Sequence, residues 1–223
     1  MKAVQSMKLS ETDLTRALSL YAVTDRYWTG EKTLYAQVKE SLEGGVSIVQ
    51  LREKKLDYLS FKEEGLAIQK LCADYKVPFL INDNVQLAKE IDADGVHIGQ
   101  SDMALIEARK LLGNEKIIGV SAQTVEDALE AERNGADYLG VGAVFPTATK
   151  DDAVDVSLET LKAICSVVKI PVVAIGGITK ENIHLLKGSG ICGIAVISAI
   201  FAQKDIMSAS KELRMKVKDV LDA

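Results

Sequence analysis

Two aspartates, a group of cations and a set of small-residue loops are the parts of this 223-residue chain whose types and spacing could do chemistry. Asp83 in LINDN and Asp102 in GVHIGQSD each follow a short apolar run. Two carboxylates brought together repel unless a cation lies between them. Hard oxygen ligands of this kind suit Mg²⁺, which keeps several waters and shares its remaining positions with phosphates. Asp102 could instead cap the helix that follows it, and position alone does not separate the two roles.

Gln50, Arg52 and Lys54 alternate in VQLREKK, so all three face one side of an extended segment. An amide and two cations there can grip an anion, the bland alternative being a solvated strand end. Gly176 and Gly177 in VAIGGIT, with Val196, Ile197 and Ser198 in GIAVISAI, can let a phosphate approach backbone N–H groups. Thr147, Thr149 and Lys150 lie in VFPTATKDD; read alone, that stretch is a turn in which Pro146 stops the preceding strand. Ser121 in IGVSAQT offers a hydroxyl to a ligand or begins a turn, and Thr124 suits a helix cap. His97, between Val96 and Ile98, reads as a packed or hydrogen-bonded residue, and His184 in ENIHLL as structural. Cys72, Cys165 and Cys192 are far apart in apolar surroundings and read as plain buried thiols. No Ser-His-Asp or Cys-His arrangement is evident.

The elements that must position these residues repeat along the chain. LYAVTD, VSIVQLR, PFLIND, GVHIG, KIIGVS, DYLGVGA, PVVAIGG and GIAVIS are short apolar runs of strand type, continuous rather than alternating, as in strands buried on both faces. Segments of helical period separate them: Lys32 to Glu43, Tyr58 to Asp74, Val85 to Ile91, Met103 to Leu112, Val125 to Asn134, Leu158 to Val168, Glu181 to Lys187, and Asp205 to Leu221. Eight such units predict an α/β fold, a single (β/α)8 TIM barrel over residues 20–223, with its site at the C-terminal strand ends. Residues 1–19, with SETDLTRALS, predict an extra helix capped around Ser10 and packed on the barrel.

A hydrophobic fraction of 48%, a charged fraction of 26%, a net charge of -5 and a pI near 5.2 predict a soluble globular protein. They argue against nucleic-acid or anionic-membrane binding, which uses a basic face. No apolar run of about 18 residues is present, and the N-terminus lacks the apolar core of a signal peptide, so a cytoplasmic location is expected. A homo-oligomer is left open. On the barrel rim the residues form two anion sites, one of Arg52, Lys54 and the aspartate-bound metal, the other of the glycine loops. Two phosphorylated small-molecule substrates meeting in one barrel is the reading they support.

The ordered motifs YAVTDR, VQLREK, FLINDN, DGVHIGQSD, GVSAQT, GVGAVFPTATK and VAIGGIT resemble those of the thiamine phosphate synthase family, from about Leu20 to Ile200. The resemblance implies a Mg²⁺-dependent transferase that joins a hydroxymethylpyrimidine diphosphate to a thiazole phosphate, or its carboxylated form, and releases pyrophosphate by a dissociative route. It implies that Gln50, Leu51, Arg52, Glu53, Lys54, Asn82, Ser121 and Lys150 contact the pyrimidine diphosphate, with Arg52, Lys54, Ser121 and Lys150 acting in catalysis. Asp83 and Asp102 would hold the metal. Thr147, Ala148, Thr149, Gly176, Gly177, Val196, Ile197 and Ser198 would form the thiazole phosphate site. Gln123 stands where many members have His. An amide does not titrate near neutral pH, so this counts against the related thiazole tautomerase, which uses that histidine as its acid-base group. The alternatives are such a tautomerase-like barrel enzyme and a non-catalytic module that binds phosphorylated ligands.

Overall fold

A computed structural model describes residues 9–100, 102–147 and 155–222. Its strands are β1 (Leu20–Val23), β2 (Ile48–Leu51), β3 (Phe79–Asn82), β4 (Gly95–Ile98), β5 (Ile117–Ala122), β6 (Tyr138–Val141), β7 (Val172–Ile175) and β8 (Gly193–Val196). Each pairs in parallel with the next, and β8 pairs with β1, closing the barrel. Parallel neighbours need a crossover, and helices supply it. These are α2 (Leu34–Glu43), α3 (Tyr58–Asp74), α4 (Val85–Glu90), α5 (Leu105–Leu112), α6 (Val125–Arg133) and α7 (Leu158–Val167), between β1 and β7; α8 (Ser198–Phe201) and α9 (Ile206–Leu221) follow β8, and α1 (Glu11–Ala17) precedes β1. Ser10 caps α1 by accepting from the Asp13 amide at 3.1 Å, and Thr124 caps α6 within a reciprocal capping box.

One expected helix is absent. The segment from Glu181 to Lys187 holds only a 3₁₀ turn, Ile183–Leu186. Asn182, just before it, is tied back into the preceding loop: its amide donates to the Gly177 carbonyl at 2.8 Å and accepts from the Thr179 amide at 2.8 Å. Gly188 then turns the chain with a positive φ.

Strand alternation sorts the core into two layers. Leu20, Ala22, Val49, Leu51, Phe79 and Ile81 pack between sheet and helices, whereas Tyr21, Ile48, Leu80, Ile117, Tyr138 and Val173 fill the interior. Leu14 and Leu18 join that interior group, so α1 plugs the N-terminal end. Toward the other end the interior turns polar, with Gln50, Asn82, His97 and Ser121. Two strand glycines make room there. A Cβ on Gly119 would overlap the Tyr138 phenol, and one on Gly140 would come 3.0 Å from the His97 ring.

Outside the barrel, Arg26 after β1 bridges Glu53 after β2 (Nη2 to Oε1 2.9 Å) and Glu64 of α3. The Glu53 carboxylate is 2% exposed. Burial, together with the neighbouring Glu64, pushes it up to about 7 against the pull of Arg26.

Gly119→Ala should lower stability by about 1–3 kcal/mol or more, through overpacking against Tyr138. An unchanged urea midpoint would show that the phenol is placed elsewhere. Because Glu53 holds its proton to higher pH folded than unfolded, its contribution to stability is present at low pH and lost as pH rises through about 7. Relative to Glu53→Gln, the native chain should therefore lose stability between about pH 5 and about pH 8 in urea melts, and a constant difference would contradict this.

Candidate active site

The polar ends of the strands enclose one cavity of about 240 Å³. That exceeds the ~150 Å³ that admits a benzene ring, so it is a binding cavity rather than a packing defect. Gln50, Arg52, Lys54, Asn82, Asp83, Asp102, Ser121, Gln123, Thr147, Gly176, Gly177, Val196, Ile197 and Ser198 all line it. The expected residues thus converge, with two sets of exceptions. The side chain of Leu51 is fully buried among the outer core, and that of Glu53 is taken by Arg26, so both could meet a ligand only through the main chain. Ala148, Thr149 and Lys150 lie outside the described residues.

Arg52 is positioned by the loop after β1. Its amide donates to Thr24 Oγ1 at 3.0 Å, and its guanidinium pairs with Asp25 at 3.1 Å. Lys54 Nζ lies 2.6 Å from Asp83 Oδ2. Asp83 takes a left-handed conformation, φ 61°, with its amide donating to the His97 carbonyl at 2.8 Å. Aspartate tolerates that region better than most residues, and a non-glycine residue held there marks a place where surrounding bonds override the local cost.

Asp102 Oδ2 accepts from the Gly99 amide at 2.6 Å. Helix α5 begins later, at Leu105, and its N-cap position, Ala104, makes no side-chain bond, so the helix-cap alternative for Asp102 falls. The two carboxyls are close enough to shift each other's acidity. Burial acts to raise Asp83, but Lys54 and the bond with Asp102 hold it below the usual carboxylate range. Burial and then Asp83 push Asp102 above that range. Two carboxyls whose acidities are moved apart by their mutual proximity form a pair that a cation placed between them would stabilise in the charged form.

The structure also brings together a pair that sequence reading missed. His97 on β4 and Ser121 on β5 both face inward from adjacent strands, with Nε2 and Oγ 3.0 Å apart. The other ring nitrogen meets the Tyr138 hydroxyl at 2.9 Å. Tyr21 and Tyr138 line the cavity as well. Their signal was position: an inward register next to Gly119 and beside Gln50.

On the opposite side, Gly176 (φ +98°) and Gly177 (φ +62°) carry the chain out of β7. A Cβ at Gly176 would collide with Ala143, and one at Gly177 with the carbonyls of Phe145 and Pro146. Only glycine lets this loop lie against the one after β6, where Phe145 donates to the Gly176 carbonyl at 3.1 Å. The cavity thus has a pole of paired opposite charges and a pole of close-packed small residues.

A family model described as thiamine monophosphate synthase matches residues 20–200. The thiamine-phosphate synthase of Clostridium acetobutylicum is 55% identical over 192 residues, 86% of this chain and 91% of that protein. That of Methanobrevibacter smithii is 51% identical over 201 residues, covering 90% and 96%. A solved thiamine phosphate pyrophosphorylase from Pyrococcus furiosus superposes with a TM-score of 0.87 at 43% identity, over 93% of this chain and 99% of that one. On the strength of that match across nearly the whole barrel, the chain belongs to the thiamine monophosphate synthase family.

Proposed function

We propose that this chain is the transferase that joins a hydroxymethylpyrimidine diphosphate to a thiazole phosphate, giving thiamine phosphate and pyrophosphate. The observation that carries the reading is the two-poled cavity, with cations and paired carboxylates at one end and glycine loops at the other. Such a cavity suits two phosphorylated molecules that must meet at their uncharged rings.

At the charged pole, Gln50, Arg52, Lys54, Asn82 and Ser121 bind the pyrimidine diphosphate, with Leu51 and Glu53 reaching it through the main chain; the family resemblance adds Lys150. At the other pole, Thr147, Ala148, Thr149, Gly176, Gly177, Val196, Ile197 and Ser198 hold the thiazole phosphate. Asp83 and Asp102 fit Mg²⁺: they line the same cavity, and each shifts the other's acidity, so the pair lacks a compensating positive charge. No group of three or more carboxylate, histidine or cysteine ligands occurs among the described residues, which suits an ion that keeps waters and phosphate oxygens in its shell. When bound, the ion offsets the negative charge that grows on the leaving diphosphate.

The chain's own residues act by placement and charge. Arg52, steadied by Asp25, and Lys54, beside Asp83, face the oxygens that gain charge as the carbon–oxygen bond breaks. The bonding electrons leave with pyrophosphate, and the aminopyrimidine stabilises the methylene cation. The thiazole nitrogen, held by its phosphate tether, then donates its lone pair to that carbon. No protein nucleophile is needed, and holding both rings in one cavity supplies much of the rate.

Purified protein given both substrates and Mg²⁺ should form thiamine phosphate and pyrophosphate in equal amounts, and EDTA should stop it. Asp83→Ala should lower turnover at least about 100-fold with an unchanged circular dichroism spectrum. Product formation that is indifferent to EDTA, or an active Asp83→Ala variant, would overturn the metal's place in this reading.

A further inference from the structure

We infer that an unbroken line of five hydrogen-bonded side chains across the barrel interior, Gln50, Tyr21, Tyr138, His97 and Ser121, locks His97 in its Nε2–H tautomer and presents Ser121 to ligand as a hydrogen-bond donor. Tyr21, Tyr138 and His97 are thereby positioning residues for the cavity; that the ligand is the pyrimidine substrate rests on the function proposed above.

The heavy atoms leave the direction of the three inner bonds open, and the Gln50 donor at one end sets their order. Gln50 Nε2 donates to the Tyr21 hydroxyl at 2.6 Å. Tyr21 and Tyr138 are 2% and 0% exposed, and burial keeps both phenols protonated far above the ordinary range, so each has one proton to give. Tyr21, having accepted from Gln50, gives its proton to the Tyr138 oxygen at 2.8 Å. Tyr138 in turn gives its own to His97 Nδ1 at 2.9 Å. A nitrogen that accepts carries no proton, so in its neutral form the ring bears its hydrogen on Nε2 and donates it to Ser121 Oγ at 3.0 Å. Ser121 has then accepted within the barrel, and its own O–H remains for the cavity that it lines.

Two further observations show that the line is built rather than incidental. Gly119 and Gly140, on adjacent strands, leave the space that the Tyr138 and His97 rings occupy. The rings also pack on one another, Tyr21 edge-on to Tyr138 at 6.0 Å between centroids and His97 tilted to Tyr138 at 5.5 Å. An apolar interior would have avoided burying these groups. Both ends of the line, Gln50 and Ser121, open on the cavity. With its nitrogen engaged by Tyr21, the Gln50 amide has its carbonyl oxygen to offer a ligand amino group, so the line sets an acceptor at one end and a donor at the other.

The chain has only two histidines, His97 and His184, so ¹⁵N-histidine labelling resolves both. In native protein without substrates, at about pH 8.5 where an ordinary imidazole is neutral, His97 should show a protonated Nε2 and a bare Nδ1. Tyr138→Phe keeps the ring and removes the donor; it should move His97 toward a mixture of tautomers and lower kcat about tenfold, the worth of one orienting hydrogen bond. In a Ser121→Ala background the same change should cost nothing further, because the hydroxyl it orients is gone. An Nδ1–H tautomer in the native spectrum, or fully additive losses in kcat, would overturn the inference. The spectrum needs no substrate, so a native tautomer as stated with no thiamine phosphate formed would count against the proposed reaction and leave the positioning role standing.

Discussion

The contact between Asp83 and Asp102 is the constraint around which the rim is arranged. Two carboxyls set close together at the ends of neighbouring strands repel unless a cation lies near them. Lys54 meets part of that demand on the Asp83 side, and the Gly99 amide part of it on the Asp102 side. Arg52 is balanced in the same way by Asp25. The result is an alternation of sign across three strand ends, Asp25 with Arg52 and Lys54 with Asp83. It holds each charged group in place while keeping it exposed to the cavity. The left-handed backbone at Asp83 belongs to the same arrangement, since it sends the Asp83 amide to the His97 carbonyl and joins the charged pole to the interior hydrogen-bond line.

The barrel makes this possible by separating three environments along one set of strands. The outward face packs against helices through apolar side chains. The inward face is apolar at the end plugged by Leu14 of α1 and Leu18 just after it, and polar at the other. A single strand can therefore contribute to stability and chemistry at once: in β2 and its extension, Leu51 and Glu53 are used outside while Gln50, Arg52 and Lys54 are used inside. The two-residue period of a strand enforces that division.

Much of this was legible in the sequence because burial on both faces leaves a plain mark. Strands such as VVAI and GIAV are apolar throughout, and the alternation in VQLREKK by itself puts Gln50, Arg52 and Lys54 on one side of the chain. The glycine pair Gly176 and Gly177 after such a run marked the pole of close-packed small residues. Less legible was whatever depends on partners distant in sequence. Arg26 and Glu53, or Asp25 and Arg52, look like surface charges until β1 and β2 lie side by side. Tyr21 and Tyr138 read as ordinary strand aromatics, because the value of a buried hydroxyl depends on what the register sets opposite it. The seventh expected helix failed for a similar reason, its period being real but Asn182, near its start, claimed by the loop behind it.

The central claim is that the carboxylate pair and the cations of the charged pole form one pyrophosphate site that is complete only with a divalent ion. Calorimetric titration of the protein with pyrophosphate, in the presence of Mg²⁺ and again in EDTA, tests it most directly. The account predicts binding with Mg²⁺ that weakens at least about tenfold without it, given the charge left unpaired on the two aspartates. Equal affinity in the two titrations would contradict it.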